Sequence, residues 1–204
     1  EYVSKLKKMG FNVKKNQIIL STDITILSLK SMNFSSGYII GNENFRNDLF
    51  HNDLFHNEID PEFVLLAYDT ELTYEKLKKA SIFLNKGIPF FATHDDKFCP
   101  SENGPIPDVG SFISLFKTSN NVEPVIFGKP NKLILSELFN KSISTNECVI
   151  VGDRLTTDFQ LAINCDIDFI CVLTGETSRI DIENHNLSPK LIIKSVKDLY
   201  NFLI

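Results

Sequence analysis

The residues of this 204-residue chain best suited to chemistry stand at the ends of two strand-like runs. "VIFGKP" closes on Gly128, Lys129 and Pro130, which would hold one fixed cation where a phosphate could sit, with Pro130 stiffening the exit. Further on, "CVIVGDRLTTD" closes on Gly152 and Asp153, and Asp158 follows a little more than one helical turn later. Carboxylate oxygens so placed are the hard ligands that Mg²⁺ takes, and Gly152 leaves room for backbone and ligand to approach. Each piece alone is an ordinary turn or helix cap. On successive strands in this order they describe a phosphate- and metal-handling site.

Three other groupings could carry chemistry. "LLAYDTELT" ends an apolar run in Asp69, with Glu71 two residues on, the way an attacking carboxylate is presented. "FATHDDKFCP" sets Thr93, His94, Asp95, Asp96 and Cys99 after a strand end, as substrate contacts or as a hydrogen-bonded surface turn. The tandem "NDLFHNDLFH" places His51 and His56 five residues apart. A histidine pair of that kind needs helical or close loop spacing and a carboxylate to hold a metal, and a duplication in a surface loop or helix is the better reading.

The elements that must position these residues alternate. "EYVSKLKKMG" has helical apolar spacing and stops at Gly10, "QIILS" reads as a short strand, and Thr22 or Asp23 can cap a helix through Lys30. Strands follow at "GYIIG", 63–67, 89–92 and 125–127, with helices at 74–85 and 109–117. "NKLILSELFNKS" and "TDFQLAINCD" read as helices around the strand "CVIVGD", and "DFICVLTG" and "SVKDLYNFL" close the chain as strand and helix. This order means a mostly parallel α/β sheet with ligands at the carboxyl ends of its strands. A hydrophobic content of 43% supports a packed core, and a net charge of −5 offers no broad basic surface for nucleic acid. No run spans a bilayer, and four cysteines without CxxC spacing fit a reducing, cytoplasmic compartment. The chain opens at Glu1, inside a helix whose preceding element is absent, so an upstream segment is expected.

Taken together, "FGKPNKLILSELF", "CVIVGDRLTTDFQLAINCDIDFICVLTGETS", "ILSTDITILSLK", "GYIIGNENF" and "FATHDDKFCPSENGPIPDVGSF" resemble the haloacid dehalogenase-like hydrolases over nearly the whole chain. The similarity is to the branch typified by NagD-type and 4-nitrophenylphosphatase-type enzymes. It implies a Rossmann-like three-layer α/β core with a mostly parallel sheet, residues 1–32 and 124–204, carrying an inserted α/β cap, 33–123. It also implies Mg²⁺-dependent hydrolysis of small phosphorylated metabolites through an aspartyl-phosphate, with Asp153 as metal ligand, Lys129 on the phosphate and Asp158 supporting either. Thr93, His94 and Asp96, with Cys99, then face the substrate's leaving group, Arg154 contacts phosphate or pairs with an acid, and a homodimer through the cap is expected.

The family's first two motifs, Asp-x-Asp-Gly-Thr and a Thr or Ser before Asn, match no residues here, so the chain as given is expected to be truncated and inactive. Reading Asp69 as a relocated nucleophile with Glu71 as acid/base and Thr93 as the second motif meets two objections. The extra methylene of Glu71 displaces its oxygen by roughly 1 Å, enough to cost orders of magnitude. Leu72 also stands where the family has glycine. Asp69 is therefore read as capping the Tyr74 helix or lining the cap surface, and Glu71 as a solvated helix-start acid. A non-catalytic family member acting as a binding or oligomerisation module is the alternative.

Overall fold

Short runs rich in β-branched and aromatic residues become strands, and each amphipathic run between them becomes a covering helix. A computed structural model describes residues 2–136 and 143–203. They form two compact units, Glu1–Gly128 and Lys129–Ile204.

The first unit runs α1 (Tyr2–Lys8), α2 (Ser21–Ser31), β1 (Ser36–Ile40), α3 (Glu43–Phe50), β2 (Phe55–His56), β3 (Phe63–Leu66), α4 (Tyr74–Asn85), β4 (Phe90–Ala92), β5 (Phe98–Cys99), β6 (Ile106–Pro107), α5 (Val109–Asn120) and β7 (Val125–Ile126). Its sheet is wholly parallel in the order β2-β1-β3-β4-β7. All four residues of β3, "FVLL", are buried, as a central strand covered on both faces requires. On one face Tyr38, Val64, Leu66 and Phe90 meet Ala80, Phe83 and Leu84 of α4 and Phe116 of α5. Elsewhere in the unit Phe63, Phe91, Phe34 and Phe127 pack ring against ring, and Gly37 is required because a Cβ there would lie 2.2 Å from the Phe63 ring.

The second unit holds β8 (Val149–Gly152), a π-helical turn at Leu155–Phe159, α6 (Gln160–Cys165), β9 (Asp168–Val172), α7 (Arg179–Asn184), β10 (Leu191–Ile193) and α8 (Val196–Leu203). Its parallel sheet has the order β10-β9-β8. Phe159, Ala162, Phe169, Cys171 and Ile182 form the core beneath it.

The mixed α/β architecture and parallel pairing are as the sequence predicts, with four differences. "QIILS" is not a strand: Lys15–Gln17 is a 3₁₀ turn, and α2 starts at Ser21 with Asp23 inside its first turn, its carboxylate 3.0 Å from the Leu20 N–H. Strand β7, expected in the carboxyl-terminal core, pairs with β4 through Phe91–Val125 and Ala92–Ile126, so residues 125–128 stay with the first unit. The "TDFQLAINCD" helix begins as a π turn. Of "NKLILSELFNKS", Lys132–Leu135 is a 3₁₀ turn and residues 137–142 lie outside the described residues. Among the described residues no helix is long and apolar enough to cross a membrane.

Phe63 is fully buried at the centre of the aromatic cluster. Phe63→Ala is expected to cost about 3–5 kcal/mol, read as a lowered midpoint in chemical denaturation.

Candidate functional site

In the second unit the site is built around a carboxylate that folds back on its own strand. The N–H groups of Asp158 and Phe159 both donate to the Arg154 carbonyl, at 3.1 and 3.0 Å, which widens the turn after β8. Asp158 is buried, and its Oδ2 accepts from the N–H groups of Asp153 and Arg154 at 3.2 Å each. Its Oδ1 accepts from the Lys129 Nζ at 2.6 Å. Gly152 makes this possible, since a Cβ there would stand 2.5 Å from the Asp158 side chain. The close approach that Gly152 permits is thus of Asp158, not of a ligand.

Asp153, half-buried at the tip of β8, is held from the other side. Its Oδ2 accepts from the Glu176 N–H at 2.9 Å, and its carbonyl accepts from the Thr177 N–H at 3.2 Å. Gly175 leaves the space for that contact, since a Cβ there would lie 1.9 Å from Oδ2. Arg154 pairs with an acid, donating to the Glu176 Oε1 from Nε at 2.8 Å and from a terminal nitrogen at 2.6 Å. Gly175 and Glu176 escape sequence reasoning, though "TGETS" directly after a strand end is the place to look.

The donor set fits a hard cation in a limited way. Both Asp158 oxygens are taken by donors, so Asp158 orders Lys129 and the strand tip rather than a metal. Asp153 Oδ1 carries no hydrogen bond among the described residues and is the oxygen available to Mg²⁺, which characteristically uses one or two protein carboxylates. Lys129, with 43% of its side chain exposed, can meet an anion while remaining paired.

The second cluster lies in the first unit, after β4. Thr93 is buried, its Oγ1 2.9 Å from His94 Nδ1, and His94 Nε2 stands 3.1 Å from Asp108 Oδ1. A carboxylate only accepts, so the neutral ring carries its proton on Nε2 and accepts at Nδ1 from the Thr93 hydroxyl. Buried Asp108 also accepts from the Val109 N–H at 2.7 Å and from Cys99 Sγ at 2.8 Å. Burial pushes the Asp108 carboxyl up, but the bonds from His94, Cys99 and the Val109 N–H together hold it below its ordinary 3.8. Asp95 goes the other way, raised by burial and by the neighbouring Asp96 charge. The Asp96 carbonyl accepts from the Gly110 N–H at 2.8 Å, and a Cβ on Gly110 would lie 2.3 Å from the Asp95 carbonyl oxygen. Carboxylate or ring atoms of His94, Asp96 and Asp108 lie within 4.8 Å of one another. Asp108 is the residue that sequence reading missed, and its place before the α5 run "VGSF" is that of a helix cap.

Asp69 is neither exposed nor the cap of α4. Its side chain is fully buried, with Oδ2 2.7 Å from Lys76 Nζ and Oδ1 accepting from the Glu71 N–H at 2.8 Å, while the cap is Thr73, whose Oγ1 accepts from Lys76 N–H. The turn ahead of α4 needs its own acceptor, and Asp69 is short enough to supply it from inside. Glu71 is exposed. The duplicated histidines serve backbone groups: His51 Nδ1 lies 2.6 Å from the Asn47 carbonyl one turn back, and His56 Nδ1 accepts from the N–H of Ile39 on β1 at 3.1 Å.

Comparison with known proteins gives a consistent set. Residues 126–199 match the family model described as HAD-hydrolase-like. The chain is similar to an acid sugar phosphatase of Staphylococcus saprophyticus, 29% identical over 98% of this chain and 78% of that one. It is also similar to the 5'-nucleotidase YutF of Bacillus subtilis, 31% identical over 80% of this chain and 64% of that one. Among solved structures, 4-nitrophenylphosphatase from Thermotoga maritima aligns with a TM-score of 0.91 and 37% identity, over 98% of this chain and 78% of that one.

Two outcomes follow from the buried carboxylates. Asp69→Asn removes the charge facing Lys76 and is expected to cost about 1.5–3 kcal/mol in a denaturant melt. Asp108, being depressed on folding, contributes stability that is complete above its ordinary 3.8 and is lost as pH falls through the lower folded value. Asp108→Asn should therefore show a shallower loss of stability in acid melts below about pH 4 than the parent protein.

Proposed function

We propose, because the chain belongs to the haloacid dehalogenase-like hydrolases and to their NagD and 4-nitrophenylphosphatase branch, that it works as a phosphatase on small phosphorylated metabolites. The observation that carries this reading is the Lys129–Asp158–Asp153 cluster at the tip of β8.

Each residue has a role its contacts support. Asp158 fixes the Lys129 ammonium, and Lys129 neutralises the phosphoryl oxygens and the charge of an attacking carboxylate. The Glu176 N–H engages one oxygen of Asp153 and so directs the other toward a divalent ion, which we take to be Mg²⁺. Mg²⁺, when bound, would draw charge from the transferring phosphoryl group. Substrate contact within the first unit is assigned to His94 and Asp96, with Thr93 acting from behind by setting the His94 ring. In the family's reaction an aspartate is phosphorylated and water then releases phosphate. No residue of this sequence is assigned that nucleophilic role, because Asp69, the one candidate, has both oxygens engaged and no exposed side-chain surface.

That burial of Asp69 is also what favours the second reading, a non-catalytic module that keeps the site for binding. One experiment separates the two: hydrolysis of 4-nitrophenyl phosphate and of sugar phosphates by this chain joined to an upstream segment bearing Asp-x-Asp-Gly-Thr, with Mg²⁺ and with chelator. Under the phosphatase reading that protein turns over, Lys129→Ala and Asp153→Asn each lower its rate by about 10²–10³-fold, chelation abolishes it, Asp69→Asn leaves it in place, and the 204-residue chain alone is inactive. A protein so completed that folds, binds phosphate through Lys129 and shows no turnover would establish the binding module instead.

A further inference from the structure

The donors gathered after β4 differ in kind from those at the tip of β8. Around Asp108 stand an imidazole nitrogen (His94 Nε2, 3.1 Å), a thiol sulfur (Cys99 Sγ, 2.8 Å) and, within 4.8 Å of the His94 and Asp108 donors, the Asp96 carboxylate. They come from three separate stretches: the loop after β4, the first strand of the β5–β6 hairpin, and the residue that starts α5. Four donors of nitrogen, sulfur and oxygen type, contributed by non-adjacent segments, form a set that Mg²⁺ does not use and that borderline-soft ions do.

From this arrangement we infer that His94, Asp96, Cys99 and Asp108 form a site for Zn²⁺ or a chemically similar transition-metal ion in the first unit. Zinc takes tetrahedral Cys, His and Asp ligands at ~2.0–2.3 Å, which sets donors ~3.3–3.8 Å apart around the ion. His94 Nε2 lies 3.1 Å from Asp108 Oδ1 and Cys99 Sγ 2.8 Å from Asp108 Oδ2; His94, Asp96 and Asp108 already lie within 4.8 Å of one another, and binding would draw Cys99 from the second Asp108 oxygen toward that group.

The surroundings are those of a built site. Thr93, buried at 2% exposure, holds the far nitrogen of the His94 ring. When Nε2 gives its lone pair to a metal, the ring proton moves to Nδ1 and the Thr93 hydroxyl changes from donor to acceptor without moving, the usual support for a metal-bound histidine. The Val109 N–H orients Asp108, and the Gly110 N–H draws the Asp96 backbone onto the start of α5. Binding would convert the Cys99 thiol to a thiolate and release that proton to solvent. The ion would then clamp the hairpin and the loop to α5. This inference does not rest on the phosphatase reading, because the metal can be measured without substrate and without Lys129, Asp153 or Asp158.

The test uses the full chain, freed of metal by chelation and dialysed. Zn²⁺ is titrated against a chromogenic chelator, and Co²⁺ replaces it for near-ultraviolet spectroscopy. One Zn²⁺ per chain is expected, retained in the presence of excess Mg²⁺, together with a cobalt spectrum containing a thiolate charge-transfer band. Cys99→Ser should abolish that band, and Cys99→Ser, His94→Asn and Asp108→Asn should each weaken Zn²⁺ binding by at least ~10-fold. Asp168→Asn, at an exposed acid of the second unit outside both clusters, should change neither. Circular dichroism checks folding, and if Asp108→Asn does not fold, the other two variants decide. Zinc affinity unchanged in those variants, or a cobalt spectrum lacking the thiolate band, would overturn the proposal and leave the cluster a hydrogen-bonded turn.

Discussion

The second unit depends on one buried carboxylate turned back on its own strand. Asp158 sits at 6% exposure and receives three donors: the N–H groups of Asp153 and Arg154 and the ammonium of Lys129. An ionised carboxyl in such a place is costly unless its lone pairs are filled, and these donors fill them. The geometry requires a π turn to swing the side chain back and a glycine at 152 to receive it. Remove the carboxylate, and Lys129 loses its fixed position, while two amides at the strand tip lose their acceptor. An ion pair of this kind, with the carboxylate buried and the ammonium partly in solvent, adds little net stability, because desolvation and screening cancel much of the attraction. Its physical product is position: an ammonium and the neighbouring carboxylate of Asp153 held in place before any ligand arrives.

The first unit solves the same problem with a different carboxylate. Asp108 starts α5, a role for which any short polar acceptor would serve, yet its oxygens also collect His94 and Cys99. The hydrogen bonds outweigh a burial cost that alone would favour the protonated acid. Helix starts are where a chain already provides oriented N–H groups for an anion, so a capping aspartate can be kept charged at low exposure and used for something further.

Much of this was legible in the sequence because strand-end chemistry leaves short, ordered signatures. "FGKP" and "GDRLTTD" point to Lys129 after β7 and to Asp153 and Asp158 after β8, strands that belong to different sheets, and the run at 74–85 is the helix its apolar spacing predicts. What was not legible depends on contacts between segments far apart in the chain. Glu176 holds Asp153 through a backbone amide, which any residue type could supply, so nothing in the letter Glu announces it. Asp108 looks like a cap and is one, and only folding brings Cys99, nine positions away, to its second oxygen. "QIILS" has the composition of a strand, but pairing decides, and no partner strand is found for it among the described residues. Asp69 misled by its setting: an acid after an apolar run reads the same whether it points outward or is sealed inside by Lys76.

Glycine makes the clearest link between sequence and site, because its meaning lies in what approaches it. Gly152 admits Asp158, Gly175 admits Asp153 and Gly110 admits the Asp95 backbone, each at a distance where a methyl group could not stand. None of the three needs a left-handed backbone, as their φ values are not among the positive ones. They are therefore not turn glycines. They are the negative image of the carboxylates and loops packed against them, and a side chain at any one would move a functional oxygen by the ångström on which positioning chemistry turns. Two of them accommodate the aspartates of one cluster, and the third seats the loop of the other, so the spacing of glycines and acids along the chain records which side chain must reach which strand tip or helix start.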